Sequence, residues 1–161
     1  MLKSIIKLTI ALAFIFIFCA QMQAQDKDSS ESKPKTKVYL AGIGPDPQIQ
    51  IILDGLTDFL VEKKVSTKQI DSESKSRSGH IDRLKVLGGE SLLYVTLDIA
   101  EGQVKDSMLV QCFDPTGKLL WEEKVKGSLF STSASGVAKS MLKGMKKKLE
   151  PRIGKEGLPI N

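Results

Sequence analysis

Histidine occurs once and cysteine twice in these 161 residues, and that scarcity excludes much chemistry at the outset. Cys19 lies in an apolar opening run and only Cys112 lies beyond it. A chain cut after that run keeps one thiol, so no internal disulfide can form and the fold must hold by packing. His80 is the sole imidazole, so there is no Cys/His cluster with zinc-ligand spacing. It is also the sole conventional base for Cys112, and no nucleophile motif surrounds either residue. No catalytic residue, metal ligand or cofactor is assigned on this reading. Aromatic residues make up only 6%, with Trp121 the single tryptophan.

What is present begins with MLKSIIKLTIALAFIFIFCAQMQA. Lys3 and Lys7 precede an apolar run from Leu8 to Phe18, interrupted only by Thr9, and small or polar residues follow to Ala24. This is the pattern of a secretory signal peptide, and the run is shorter than the ~20 residues a spanning helix requires. Cleavage is expected after Ala24, giving a periplasmic or otherwise exported protein. Met22 sits where a small residue is preferred, so the alternatives are cleavage after Ala20 and retention of the leader as an anchor. Phe18 before Cys19 argues against lipidation at that cysteine.

Losing Lys3 and Lys7 with the leader takes the formal charge from +5 to +3. That mild excess permits weak contact with an anionic polymer or a membrane surface and identifies no specific nucleic acid. Residues 25–37, QDKDSSESKPKTK, contain no large apolar group and read as a flexible polar tether. The remainder suits one domain over 38–153, with 154–161 a loose tail carrying Gly157 and Pro159.

Inside that domain the hydrophobic period alternates. Val38 to Ile43 reads as a buried strand, and Gly44-Pro45-Asp46-Pro47 stops it and starts a helix. Ile49, Ile52, Leu53, Leu56, Phe59 and Leu60 form one apolar stripe on that helix. Asp54, Asp58 and Glu62 mark its opposite side, read as a solvated face rather than a cation site. Lys68 to Ser72 is a weak strand and Ser74 to Gly79 a polar loop. A short helix follows, with Ile81, Leu84 and Leu87 on its buried side, ending at Gly88-Gly89. Leu92–Ile99, Ser107–Phe113 and Leu119–Val125 then make an antiparallel meander, turning at Glu101-Gly102-Gln103 and at Asp114-Pro115-Thr116-Gly117. A last helix from Ser133 to Glu150 buries Val137, Ala138, Met141, Leu142, Met145 and Leu149. The expected fold class is α/β, more narrowly a two-layer α+β fold. Its order is β-α-β-α-β-β-β-α, with a mixed sheet of about five strands and helices mainly on one face.

Two surfaces are candidate sites. Gly42, Gly44 and Asp46 lie in a strand-to-helix turn of the kind that cradles phosphates, but Pro45 and Pro47 each remove an amide donor and no Lys-Ser/Thr pair follows. A turn that needs glycine geometry is the favoured reading, with a small-ligand loop as the alternative. The last helix carries Lys139, Lys143, Lys146, Lys147 and Lys148, where cations near the C-terminus offset the helix dipole. Lys143, Lys146, Lys147 and Lys148 are the candidates for partner binding. Trp121 joins them if its ring stands exposed, although core or rim packing is its default. His80, beside Gly79, reads as a helix-entry or surface residue, and Cys112 as a buried strand residue.

Three stretches carry a family resemblance: the helix ending Leu56-Thr57-Asp58-Phe59-Leu60, the run from Leu84 through Gly88-Gly89-Glu90 to Val95, and the Asp114-Pro115-Thr116-Gly117 hairpin before a strand and closing helix. Together they make Val38 to Glu150 resemble the small α/β envelope domain of the TolB amino-terminal domain, CsgG and LpoB group. The chain lacks an acceptable lipidation signal and has no room for a TolB propeller or for CsgG's pore-forming insertions. The resemblance brings no catalytic residues. It implies an exported, non-enzymatic domain whose partner is another envelope protein. The alternative is a binder of a small ligand or anionic envelope polymer, using the Gly42 to Pro47 edge and the lysine-rich helix.

Overall fold

The computed structural model describes residues 37–71, 75–99, 106–127 and 133–161. The expected leader, the tether up to residue 36 and the Glu101-Gly102-Gln103 turn lie outside them. The elements are β1 (Val38–Ile43), α1 (Gln48–Glu62), β2 (Thr67–Gln69), α2 (Arg77–Leu87), β3 (Ser91–Asp98), β4 (Ser107–Phe113), β5 (Leu119–Lys126) and α3 (Ala134–Leu149). A 3-10 turn, Glu150–Arg152, follows α3 and contains Pro151.

One mixed sheet runs β2-β1-β3-β4-β5. β1 pairs in parallel with β2 and β3, and β3, β4 and β5 form the antiparallel meander. The chain moves one way from β1 to β2, then back across β1 to reach β3. Parallel crossovers are right-handed, so two crossovers in opposite directions place their helices on opposite faces. Accordingly α1 packs with α3 on one face, and α2 lies across the other.

Strand alternation supplies both cores. Val38, Leu40, Leu93, Val95, Leu97, Met108, Val110 and Cys112 point toward α1 and α3. Tyr39, Ala41, Leu92, Tyr94 and Phe113 point toward α2. The α1 stripe buries the six residues its spacing marked, from Ile49 to Leu60. The Ser76 and Ser133 side chains cap α2 and α3 by accepting from the Gly79 and Gly136 amides. Gly88, with φ 64°, closes α2 in the left-handed region.

Three details differ from the sequence reading. β2 covers Thr67–Gln69, not Lys68 to Ser72, and α2 begins at Arg77 inside the expected loop. The buried stripe of α2 runs through His80 and Leu84, leaving Ile81 and Leu87 half-buried at its margin. The last eight residues are not loose. Leu158 is 0% exposed, Gly154 N–H donates to the Leu158 carbonyl (2.8 Å), and Asn161 N–H donates to the Lys64 carbonyl (3.1 Å). Gly157 at φ 84° lets the chain turn back, so one leucine fills the sheet's open end beside Trp121.

Candidate functional site

β1 and β2 are parallel neighbours whose following helices lie on opposite faces of the sheet, and at such a point an open crevice forms beyond the strand ends. A cleft of about 370 Å³ lies there. Gly42, Gly44 and Asp46 line it, together with Asp71, Lys75 and His80. The glycines have a packing cause. A Cβ on Gly42 would sit 2.9 Å from the Val95 carbonyl oxygen, and one on Gly44 would sit 2.7 Å from Leu97 Cβ. Both positions are therefore set by how closely β1 and its turn press on β3. Gly44→Ala is expected to lose about 1–3 kcal/mol by overpacking, whereas exposed Asp46→Ala stays within about 0.5 kcal/mol, as chemical denaturation would measure.

His80 is 3% exposed, contrary to its surface reading. Its Nδ1 lies 2.8 Å from the Ser76 carbonyl oxygen, and its ring is tilted against Tyr94 at 5.7 Å. A carbonyl only accepts, so Nδ1 carries a proton. No sequence pattern marked this position, because an imidazole at a helix start ordinarily faces water; the short α2 instead turns it onto the sheet.

The lysine-rich helix divides in two. Lys143, Lys146 and Lys147, joined by Lys139, border a groove of about 380 Å³ between α1 and α3, with Phe59 and Leu142 as its apolar lining. The Lys146 and Lys63 ammonium groups each lie 5.8 Å from the Phe59 ring. Glu150 accepts from Lys63 at 2.6 Å, which holds the Glu150 carboxyl below its ordinary range and the Lys63 ammonium above its own. Lys148 is elsewhere: its Nζ is 3.3 Å from Glu123 on β5. Arg152 donates to the same Glu123 carboxylate through Nε (3.0 Å), and these bonds, Arg152's foremost, hold that carboxyl below its ordinary value.

Trp121 is 9% exposed and so is no free-standing anchor. Its Nε1 donates to the Glu156 carbonyl (2.9 Å), and the Arg152 guanidinium lies 4.6 Å from the ring. Cys112 is 0% exposed in the α1/α3-side core, and burial pushes its thiol up to about 12. His80 lies against Tyr94 on the other side of the sheet, and the Asp54, Asp58 and Glu62 row is exposed on the outside of α1. The sheet therefore lies between the thiol and the imidazole, while the acidic row faces away from both on the outside of α1.

No protein-family model and no curated protein matches the sequence. Solved structures do align with parts of it. PelC from Paraburkholderia phytofirmans, solved as a dodecamer, is 16% identical over 71% of this chain and 86% of its own, with a TM-score of 0.47. Lipoprotein GNA1162 from Neisseria meningitidis is 12% identical over 71% and 96%, with a TM-score of 0.42. The LpoB C-terminal domain from Escherichia coli is 12% identical over 67% and 93%, with a TM-score of 0.45.

Proposed function

We propose that this chain is exported and acts without catalysis, as an envelope domain that binds another protein. The observation that carries the reading is the separation of its reactive side chains. Cys112 is sealed in one core, His80 is turned into the opposite side of the sheet, and the carboxylates of α1 face outward. Cys112 and His80, the thiol and the base that could serve it, are therefore not in contact. The basic start, apolar run and small-residue end of the leader supply the address. The polar composition of residues 25–37, which holds no large apolar group, supports the tether reading.

The cleft at Gly42, Gly44 and Asp46 supports a second reading, a small-ligand site at the carboxyl ends of parallel strands. In its other form, binding of an anionic polymer by Lys143, Lys146 and Lys147, affinity falls steeply between low and physiological salt. Insensitivity to salt removes that form.

Cross-linking in living cells that express the full chain, followed by its purification, tests the leading reading. A discrete adduct that saturates and recurs is expected. Recovery only of bystanders in proportion to their abundance would contradict it.

A further inference from the structure

We infer that the outer face of the α1/α3 layer docks onto a second copy of this chain, about a two-fold axis parallel to the two helices. This goes beyond the proposed function, which concerns a different protein as partner. The inference begins with helix direction. A Cβ at Gly55 would run into the Leu142 side chain, Phe59 lies under the Lys146 ammonium, and Lys63 pairs with Glu150. Each contact is four residues beyond the last on both helices, so α1 and α3 run parallel and in register.

Asp54, Asp58 and Glu62 recur once per turn on the outside of α1, all exposed. Lys139, Lys143 and Lys147 do the same on α3, also exposed. By the Gly55–Leu142 register, Asp54 lies level with a point between Lys139 and Lys143, and Asp58 between Lys143 and Lys147. The two rows do not meet within the chain: Asp54 Oδ1 accepts from the Gln50 and Gln69 side-chain amides (2.8 Å each), toward β2, so Asp58 is the centre of the acidic surface and Lys143 that of the basic one. Among the described residues, Lys63–Glu150 is the one ion pair that links the helices, while Asp58, Lys139, Lys143 and Lys147 have none.

Rotation by 180° about an axis parallel to the helices keeps every level and exchanges left with right. The α1 of one copy then lies over α3 of the other, acidic row on basic row, twice. Such self-complementarity is what a two-fold contact requires. An all-anionic surface fits worse, because it would meet the carboxylate row at the same height as the lysines. Helices of 15 and 16 residues are about 23 Å long, a footprint at the small end for a stable interface. The dimer is accordingly concentration-dependent and dissociated by salt.

The test uses the full chain, expressed with its own leader and purified as the cell delivers it. Sedimentation equilibrium should find a dimer at about 0.05 M salt and a monomer at about 1 M, where screening acts over about 3 Å. Asp58→Lys and Lys143→Glu, both at exposed positions, should each weaken self-association by at least about tenfold. An equimolar mixture of the two variants should recover it, because opposite charges again face each other on both sides of the axis. A monomer at low salt, an assembly indifferent to salt and to both variants, or a mixture that stays monomeric would overturn the inference. So would a gain in binding to anionic polymer by Asp58→Lys without any self-association of the unchanged chain.

Discussion

Alanine in place of Leu158 is expected to lower the unfolding free energy by about 3 kcal/mol, within the range of about 2–5 kcal/mol seen when a buried leucine is truncated. The side chain is 0% exposed and belongs to the larger core. It is held there by a turn whose backbone is tied on several sides. Gly157 carbonyl accepts from Ser91 Oγ (2.6 Å), and Glu156 carbonyl accepts from Trp121 Nε1 (2.9 Å). The surrounding strands are fixed by their own hydrogen bonds and cannot collapse into the space, so the cavity term adds to the lost transfer energy. Ile160, two residues further and 48% exposed, is the control: Ile160→Ala should change stability by no more than about 0.5 kcal/mol. Urea denaturation of both variants measures the contrast. Equal, small effects would mean that the carboxyl-terminal segment does not belong to the core.

The second large effect concerns Cys112. In the native protein it should react with a small alkylating reagent at pH 8 about a thousandfold more slowly than an exposed cysteine. An ordinary thiol near 9.0 is about one-tenth ionised at that pH, whereas burial pushes Cys112 up to about 12, leaving roughly one part in ten thousand as thiolate. Burial also blocks access, so the observed ratio should be at least that large. Denaturant should restore ordinary reactivity. The same shift has a stability consequence. The folded thiol holds its proton more tightly than the unfolded one, so between pH 9 and 12 the unfolded chain binds fewer protons and stability falls as pH rises. The slope approaches about 1.4 kcal/mol per pH unit and levels off above the folded value. Lysines titrate in the same window, so the comparison is with Cys112→Ala, which should lack this part of the decline. Rapid native alkylation would place Cys112 at the surface.

The parts of the fold legible in the sequence were those with a clean period. α1 announces itself through six apolar residues at three- and four-residue steps between Pro47 and Glu62, and all six are buried. The meander is legible because Asp114 and Gly117 have local causes. The Asp114 carboxylate accepts from Thr116 and Lys118 amides, while Gly117 takes φ 90°. Gly88 marks the end of α2 for the same kind of reason.

The failures come from tertiary placement. The sequence of α2 has no sharp apolar stripe, so the sheet decides which side it buries, and that side carries His80. The closing residues look polar and glycine-rich, and a single leucine gives no period from which to infer that the chain folds back. At the candidate site, Gly42, Gly44 and Asp46 were found because turn residues cluster in sequence. Asp71, Lys75 and His80 were missed because only the placement of α1 and α2 on opposite faces brings them beside that turn. Lys143, Lys146 and Lys147 stay together because helix geometry keeps them together, whereas Lys148, one residue on, swings toward β5 and Glu123.

Export is the claim on which the functional account depends, and one measurement addresses it most directly: the intact mass of the protein recovered from fractionated cells. The account predicts an unlipidated chain beginning at Gln25, found outside the cytoplasm. A full-length chain beginning at Met1 in the soluble cytoplasmic fraction would contradict it.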